Sequence, residues 1–366
     1  MSVEASGTRA AVFVVCGEPS GDWMAAEVLE HLAPPAFGVA GPELRRRGLQ
    51  SVLSMESLSE MGIGAARKAV PLVLAWRRLK DAVRRRQPRA ALLVGFSEFN
   101  ARLGRWLRAQ GIHVVWYAPP QVWAWRRRRG PRLVGSADSF AVVLPFEEGL
   151  WREMGADAHY VGHPAVTWTL PEIRRLTGRI ALLPGSRPSE VERLWPLMLQ
   201  TADLLRRLRP DWSFEAGLSP GLPAALRVRV ARSAVRANIG VSQDARAVLA
   251  RAELSLCCSG TATLQSALSG CPPLVVYPLA PLAEAVLRRL VSVPHVGLPN
   301  LVLDRRAFPE LVGQAVQPIH IASAARDLEA QLPRHRASCV ELAQRLGARL
   351  NETPSRSVAR LVERRL

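Results

Sequence analysis

The runs AAVFVVC (10–16), ALLVGF (91–96) and HVVWYAP (113–119) are strand-length and almost wholly apolar, with no alternation of polar residues. A strand wetted on one face alternates. A strand that does not alternate must be covered on both faces, which is the condition of a parallel sheet with helices above and below it. The intervening segments suit that covering role, since WMAAEVLEHLA (23–33) and ARLGRWLRAQG (101–111) are amphipathic and of helical length. Strand, helix and strand in succession make βαβ units. The rhythm recurs from RIALLPGSRPSEVERLWPLMLQTADLLRRL (179–208) through LSLCCSGTATLQSAL (254–268) to PPLVVYPLA (272–280). Between the halves, VGHPAVTWTLPEIRRLTG (161–178) is polar and broken by prolines, and reads as an interdomain linker. The expectation is an α/β chain of two doubly wound domains facing each other, with a ligand cleft at the strand C-termini.

Composition is compatible with two cores: the chain has 366 residues, 48% of them apolar. A net charge of +18 suggests a polyanion, yet the basic residues are nearly all arginine, with Lys68 and Lys80 the only lysines. With Ala, Leu, Val and Pro abundant, that bias reflects GC-rich coding as much as binding. No nucleic acid partner is expected, whereas an anionic membrane surface or a phosphorylated substrate is. The five cysteines, Cys16, Cys257, Cys258, Cys271 and Cys339, form no CxxC pair and sit among apolar residues, as reduced thiols of a cytoplasmic protein do. The apolar run before Gly17 is about seven residues long, too short for a signal core or a span. No other stretch reaches the roughly 18 uninterrupted apolar residues of a span, so membrane contact would be peripheral.

Several strand ends carry chemistry. After IALLP, the stretch GSRPSEVERLW (185–195) joins a strand to a helix through Gly185, with Ser186 as a capping residue and Pro188 and Glu190 suited to a first turn. Such a junction offers free N–H groups to a phosphate, and Arg187 adds a fork suited to diphosphate oxygens; an ordinary turn with a solvent-facing arginine fits equally. Ser259, Gly260 and Thr261 form a second hydroxyl-rich turn before a helix, from which Gln265 would face a ribose; the alternative is a capped helix without ligand. Together they read as a nucleotide-diphosphate site. In the first half, GEPSGD (17–22) places Glu18, Ser20 and Asp22 at a strand end, Asp22 being also a natural helix-start residue. Glu98, in SEFN after ALLVGF, is a lone carboxylate at another. PPQVWAWRRRRGPR (119–132) sets Trp123 and Trp125 against Arg126 to Arg129, an arrangement for stacking or for a headgroup layer, or else a solvated arginine face beside packed rings. In MGIGAARKAVPLVLAWRRLKDAVRRR (61–86), Val70, Leu72, Val73, Leu74 and Trp76 adjoin a basic helix, as in an interfacial segment or a core-facing helix. No residues have metal-ligand spacing and no GxSxG element occurs.

These elements together resemble the lipid-A-disaccharide synthase family. The matching motifs are GEPSGD (17–22), GVAGPELRRRG (38–48), MGI (61–63), PPQVWAWR (119–126), LPFE (144–147), YVGHP (160–164), LLPGSRPSEVE (182–192), SGTATL (259–264) and LPNL (298–301), in the family's order and across nearly the whole chain. The resemblance implies a GT-B fold: an acceptor-binding Rossmann-like domain over 1–165, a UDP-sugar-binding one over 166–340, and a helical segment over 341–366 returning to the first. It implies inverting transfer of 2,3-diacylglucosamine from UDP to 2,3-diacylglucosamine 1-phosphate (lipid X), with no metal or other cofactor. The setting it implies is the cytoplasmic face of the inner membrane, with peripheral attachment, and a homodimer.

By residue, the resemblance assigns Arg187, Asn300 and the Ser259–Gly260–Thr261 turn to the donor, with Gln265 at the ribose. Glu18, Ser20, Asp22 and Trp123 fall to the acceptor side, and Glu98 is the base. Two positions depart from the family pattern: Ser97-Glu98-Phe99-Asn100 replaces a longer loop with two aspartates ending Asp-Phe-Asn, and Gln265 replaces a glutamate. The alternatives are a GT-B relative with another lipid acceptor or UDP-sugar, and a silent UDP-sugar- or lipid-binding protein.

Overall fold

A computed structural model describes residues 11–62, 69–125, 127–169, 175–279, 294–347 and 352–366. Contacts divide the chain into two units, Met1–Pro164 with Leu350–Leu366, and Ala165–Arg349.

The first unit is built on a sheet of strands β1 (Val12–Cys16), β2 (Ala36–Ala40), β3 (Gln50–Ser54), β4 (Ala90–Val94), β5 (His113–Tyr117), β6 (Ser139–Val142) and β7 (Ala158–Tyr160). Their order is β3-β2-β1-β4-β5-β6-β7 and every pairing is parallel. Every residue of β1 and β4 is buried, as unbroken apolar runs require, whereas the edge strand β3 is partly exposed. The order reverses between β1 and β4, with Cys16 opposite Val94, so the two following loops leave the sheet side by side. That is the crevice in which a doubly wound sheet offers a site. A Cβ on Gly17 would lie 2.3 Å from the Phe96 ring, so only glycine lets the loops approach this closely.

The second unit repeats the plan with β8 (Arg179–Leu183), β9 (Ser213–Gly217), β10 (Gly240–Ser242), β11 (Leu254–Cys258), β12 (Pro273–Tyr277) and β13 (Glu310–Val312) in the order β10-β9-β8-β11-β12-β13, again parallel throughout. Its switch lies between β8 and β11, where Leu183 pairs with Cys257. The Pro188–Leu208 helix buries Val191, Leu194, Trp195, Met198 and Leu205 in the core beside Ile180 and Leu256.

The last helix, Pro354–Glu363, belongs to the first unit and packs on the Pro19–Leu29 helix and β5. Val358, Ala359, Leu361 and Val362 are buried there, and polar contacts from His31 Nε2 to Ser355 Oγ (3.2 Å) and from His113 Nε2 to the Leu361 carbonyl (3.2 Å) fix its register. The preceding helix, Leu332–Gly347, groups with the second unit, burying Leu342 and Leu346. Of the linker stretch, residues 170–174 lie outside the described residues. Before them, Val161 and His163 are buried; after them, Arg175 Nη1 donates to the Leu249 and Ala252 carbonyls at 2.9 and 2.7 Å.

Asp22, placed from sequence at the acceptor side, is 1% exposed and turned into the first unit. Its carboxylate accepts from the backbone N–H groups of Gly41 (2.9 Å), Glu43 (2.8 Å) and Leu44 (3.3 Å), so it serves the start of the Pro42–Arg46 helix and not that of its own. Asp22→Ala would strand three backbone donors, those of Gly41 and Leu44 buried and that of Glu43 partly so, costing about 3 kcal/mol by the penalty for unsatisfied groups. The expected outcome in differential scanning calorimetry is a fall of about 5–10 °C in the first unit's transition; an unchanged transition would contradict this role.

Candidate active site

The turn after β4 holds Gly95 and Phe96 in consecutive left-handed conformations, φ +52° and +47°. A left-handed phenylalanine costs on the order of 1–2 kcal/mol, and strain of this kind gathers at functional sites. The turn survives because its far side is pinned. Asn100, fully buried, donates from Nδ2 to the carbonyls of Val94 (3.3 Å) and Gly95 (3.0 Å), and Trp116 Nε1 donates to the Gly95 carbonyl at 3.1 Å. The result is that Glu98, in the first turn of the Ser97–Ala109 helix, stands with its side chain 65% exposed and paired with Arg129. Glu18, at the N-cap of the Pro19–Leu29 helix that follows β1, and Ser20 in its first turn are exposed.

Around Glu98 lies an aromatic shelf. Phe99 packs 5.2 Å from Phe96 and edge-on to Trp76 at 5.4 Å, and Lys80 Nζ lies over Trp76 and Trp106 at 5.4 and 5.0 Å from the ring centres. On the same Ala69–Arg86 helix Val73 and Leu74 are half exposed, beside exposed Arg77 and Arg78. Residues 63–68, Arg126 and the side chains of Val70, Leu72 and Trp125 lie outside the described residues.

Trp123 is buried and makes no open stacking face. Its indole N–H donates to Glu147 Oε1 at 2.8 Å, and its ring meets Phe146 edge-on. Glu147, quoted within LPFE but given no role from sequence, is 1% exposed and also accepts from the N–H groups of Val143 (3.2 Å) and Leu144 (3.0 Å). Burial pushes its carboxyl up to about 7, against the lowering effect of those three donors. The Trp123 segment is thereby clamped, and a few residues on it supplies Arg127 to Glu153 and Arg129 to Glu98. The ion pair between Arg129 and Glu98 joins loops about thirty residues apart, which residue pattern alone could not connect.

In the second unit both glycine turns flank the switch point. Gly185 has φ +112°, and a Cβ there would meet Glu190 Oε2 at 2.6 Å and Cys258 Sγ at 3.4 Å, which places the two turns against each other. The N-cap position falls on Arg187, not on Ser186: Glu190 reaches back to accept from the Arg187 N–H (3.3 Å) and its Nη1 (3.0 Å), leaving the guanidinium side chain 71% exposed. Gly260 has φ +130° with open space where a side chain would stand, Thr261 is exposed and Gln265 is half-buried one turn on. Ser259 Oγ donates to the Val296 carbonyl at 3.1 Å. Asn300 is fully buried and spends its amide on the Phe308 backbone, accepting from N–H and donating to the carbonyl at 2.8 Å each, and on Glu310 at 2.7 Å.

An open depression of about 1040 Å³ lies at the other ends of the first unit's strands, beside His113 and Ser139. Its lining is basic, with Arg84, Arg89, Arg108, Arg364 and Arg365 against Asp138 and Asp157; Arg108 is engaged by Asp138 and Arg364 faces Asp157. Among the described residues no three His, Cys, Asp or Glu side chains converge as metal ligands, and no helix is long and apolar enough to cross a membrane.

Two parallel Rossmann-like sheets, each with its polar turns at the switch point, define an α/β protein of the GT-B class of glycosyltransferases and sugar-nucleotide epimerases. Solved structures agree on the fold: an S. aureus MnaA–UDP co-structure matches with a TM-score of 0.61 at 11% identity, covering 90% of this chain and 91% of that one. The Neisseria meningitidis UDP-GlcNAc 2-epimerase bound to UDP-GlcNAc matches at 0.60 and 12%, covering 96% and 97%. Sequence narrows the class. The family model for lipid-A-disaccharide synthetase matches residues 12–360. The lipid-A-disaccharide synthase of Anaeromyxobacter sp. strain K is 38% identical over 334 residues, 87% of each chain, and that of Acidobacterium capsulatum is 32% identical over 382 aligned positions, 96% and 94%. The chain belongs to the lipid-A-disaccharide synthase family and is a glycosyltransferase of lipid A biosynthesis.

The Glu147 clamp carries a pH signature. Unfolded, this carboxyl titrates near its ordinary value of about 4.3; folded, it holds its proton up to about 7. The native state therefore binds the extra proton across that window, and stability falls as pH rises through it, by up to about 4 kcal/mol. The phenol of Tyr160, itself raised by burial and then by Glu147, is the titratable group facing it. Glu147→Gln is expected to flatten the decline of melting temperature between pH 5 and 7.5; parallel profiles for variant and parent would refute it.

Proposed function

We propose that the protein transfers 2,3-diacylglucosamine from UDP to the 6'-hydroxyl of lipid X, with inversion, releasing UDP and lipid A disaccharide 1-phosphate. The observation that carries the catalytic assignment is the placement of Glu98, an exposed carboxylate raised on a strained turn at the first unit's switch point. Glu98 takes the proton from the acceptor hydroxyl as its oxygen attacks the donor's anomeric carbon; the bond from that carbon to the diphosphate oxygen breaks on the opposite face. Arg129 orients Glu98, while Glu18 and Ser20 line the acceptor side.

In the second unit Arg187 and the Ser259–Gly260–Thr261 turn take the negative charge that develops on the departing diphosphate, a role for which an exposed guanidinium and an unobstructed glycine turn are suited. Gln265 hydrogen-bonds the ribose. The fold-related S. aureus MnaA is a co-structure with UDP. Acyl chains lie along Phe99 and Trp76 toward Val73 and Leu74, and the arginines beside them meet anionic headgroups of the inner membrane's cytoplasmic face. Asp22 and Trp123 in the first unit and Asn300 in the second, each buried and bonded within the protein, hold the backbone of their own unit.

Incubation of the protein with UDP-2,3-diacylglucosamine and lipid X is expected to yield disaccharide and UDP in equal amounts. UDP release only with other acceptors would favour a GT-B relative of different specificity. Glu98→Gln is expected to lower turnover by at least about 100-fold, within the range for general-base loss, with UDP affinity unchanged. Parent-like turnover would remove Glu98 from the role of base. Binding to anionic vesicles should weaken in Val73→Ser/Leu74→Ser and with added salt.

A further inference from the structure

Glu310, the first residue of β13, belongs to none of the motifs that carry the family resemblance, yet three donors converge on its carboxylate. The backbone N–H of Val296 reaches Oε2 at 3.0 Å, while the N–H of Gly297 and the Asn300 amide reach Oε1 at 2.9 and 2.7 Å. Gly297 has no room for a side chain, since a Cβ would fall 2.9 Å from Glu310 Oε1 and 3.0 Å from Val275. The same segment is held at its other end by Asn300, which closes on the backbone of Phe308. The Val296 carbonyl, directed by this arrangement, is the acceptor for the Ser259 hydroxyl. A continuous chain of bonds thus runs from Glu310 through Val296 to the hydroxyl that opens the Ser259–Gly260–Thr261 turn.

We infer that Glu310 is a positioning residue for the nucleoside-diphosphate site: by holding residues 296–300 with a single carboxylate, it fixes the acceptor that orients Ser259 and with it the turn that receives the diphosphate. The inference rests on the reading that this unit binds UDP. A carboxylate is the side chain for the place because every group facing it is a donor, and only an ionised acid presents acceptors on both oxygens. Glutamine would turn an NH2 group against at least one N–H, pushing the 296–300 segment away while leaving size and shape nearly unchanged.

The test is calorimetric titration of UDP alone into the full-length protein, its Glu310→Gln and Ser259→Ala variants and the double variant, well below their melting temperatures. Glu310→Gln is expected to weaken UDP binding about 10-fold, equivalent to about 1.4 kcal/mol. If Glu310 acts through Ser259, the double variant binds about as weakly as the weaker single one; losses that multiply in full would overturn the route. Gly297→Ala, which forces the same carboxylate aside without altering it, should weaken UDP in the same direction and supplies the test should Glu310→Gln not fold. Tight UDP binding by the parent with unchanged affinity in Glu310→Gln and Gly297→Ala overturns the inference and leaves the functional reading intact. Absence of UDP binding by the parent overturns both.

Discussion

In each unit the candidate site residues depend on one parallel pairing, β1 with β4 in the first and β8 with β11 in the second. Parallel strands need crossovers, and helices covering both faces wind outward in opposite directions from a central pair. At that pair, neighbouring loops have no helix above them. Gly17 against Phe96 in one unit and Gly185 against Cys258 in the other show how close the loops then come, and why glycine is needed at both. The chemistry-bearing side chains stand where the chain leaves the C-terminal ends of those strands: Arg187 and Ser259 in the turns of the second unit, Glu98 in the first turn of the helix that follows β4.

A second regularity is the use of buried carboxylates to hold backbone. Asp22 collects the N–H groups at the start of the Pro42–Arg46 helix, Glu147 those of Val143 and Leu144 with the Trp123 indole, and Glu310 those of Val296 and Gly297. Backbone donors in irregular segments must find acceptors once water is excluded, and one carboxylate serves several at once. These acids shape loops that would otherwise have many conformations. The exposed groups can then carry function with little rearrangement.

Motif residues accordingly divide into two kinds that look alike in a string of letters. GEPSGD contains Glu18 and Ser20, open to solvent, and Asp22, sealed beneath a neighbouring helix. VWAWR contains Trp123, whose ring is packed and whose N–H is taken. LPNL contains Asn300, with no surface at all. Family resemblance marks all of them, because a residue that shapes a site is as constrained as one that touches a ligand. Burial and hydrogen-bond partners separate the two roles, and these depend on residues distant in sequence, such as Leu44 for Asp22 and Phe308 for Asn300.

By itself the sequence determined the layered architecture. Unbroken apolar runs such as VFVVC and AALLV admit only strands covered on both faces, and the glycine turns that follow them mark where the chain leaves each sheet. Motif order determined the family. Tertiary structure alone decided which acids face solvent and which face backbone, that Arg129 meets Glu98, that the Leu332–Gly347 helix stays with the second unit while only the last helix joins the first, and that Glu310 accepts from the Val296 N–H whose carbonyl meets Ser259. The reason is physical: covering a strand is a local matter of periodicity, readable in a few residues, whereas satisfying a buried donor is a matter of which distant acceptor the fold delivers.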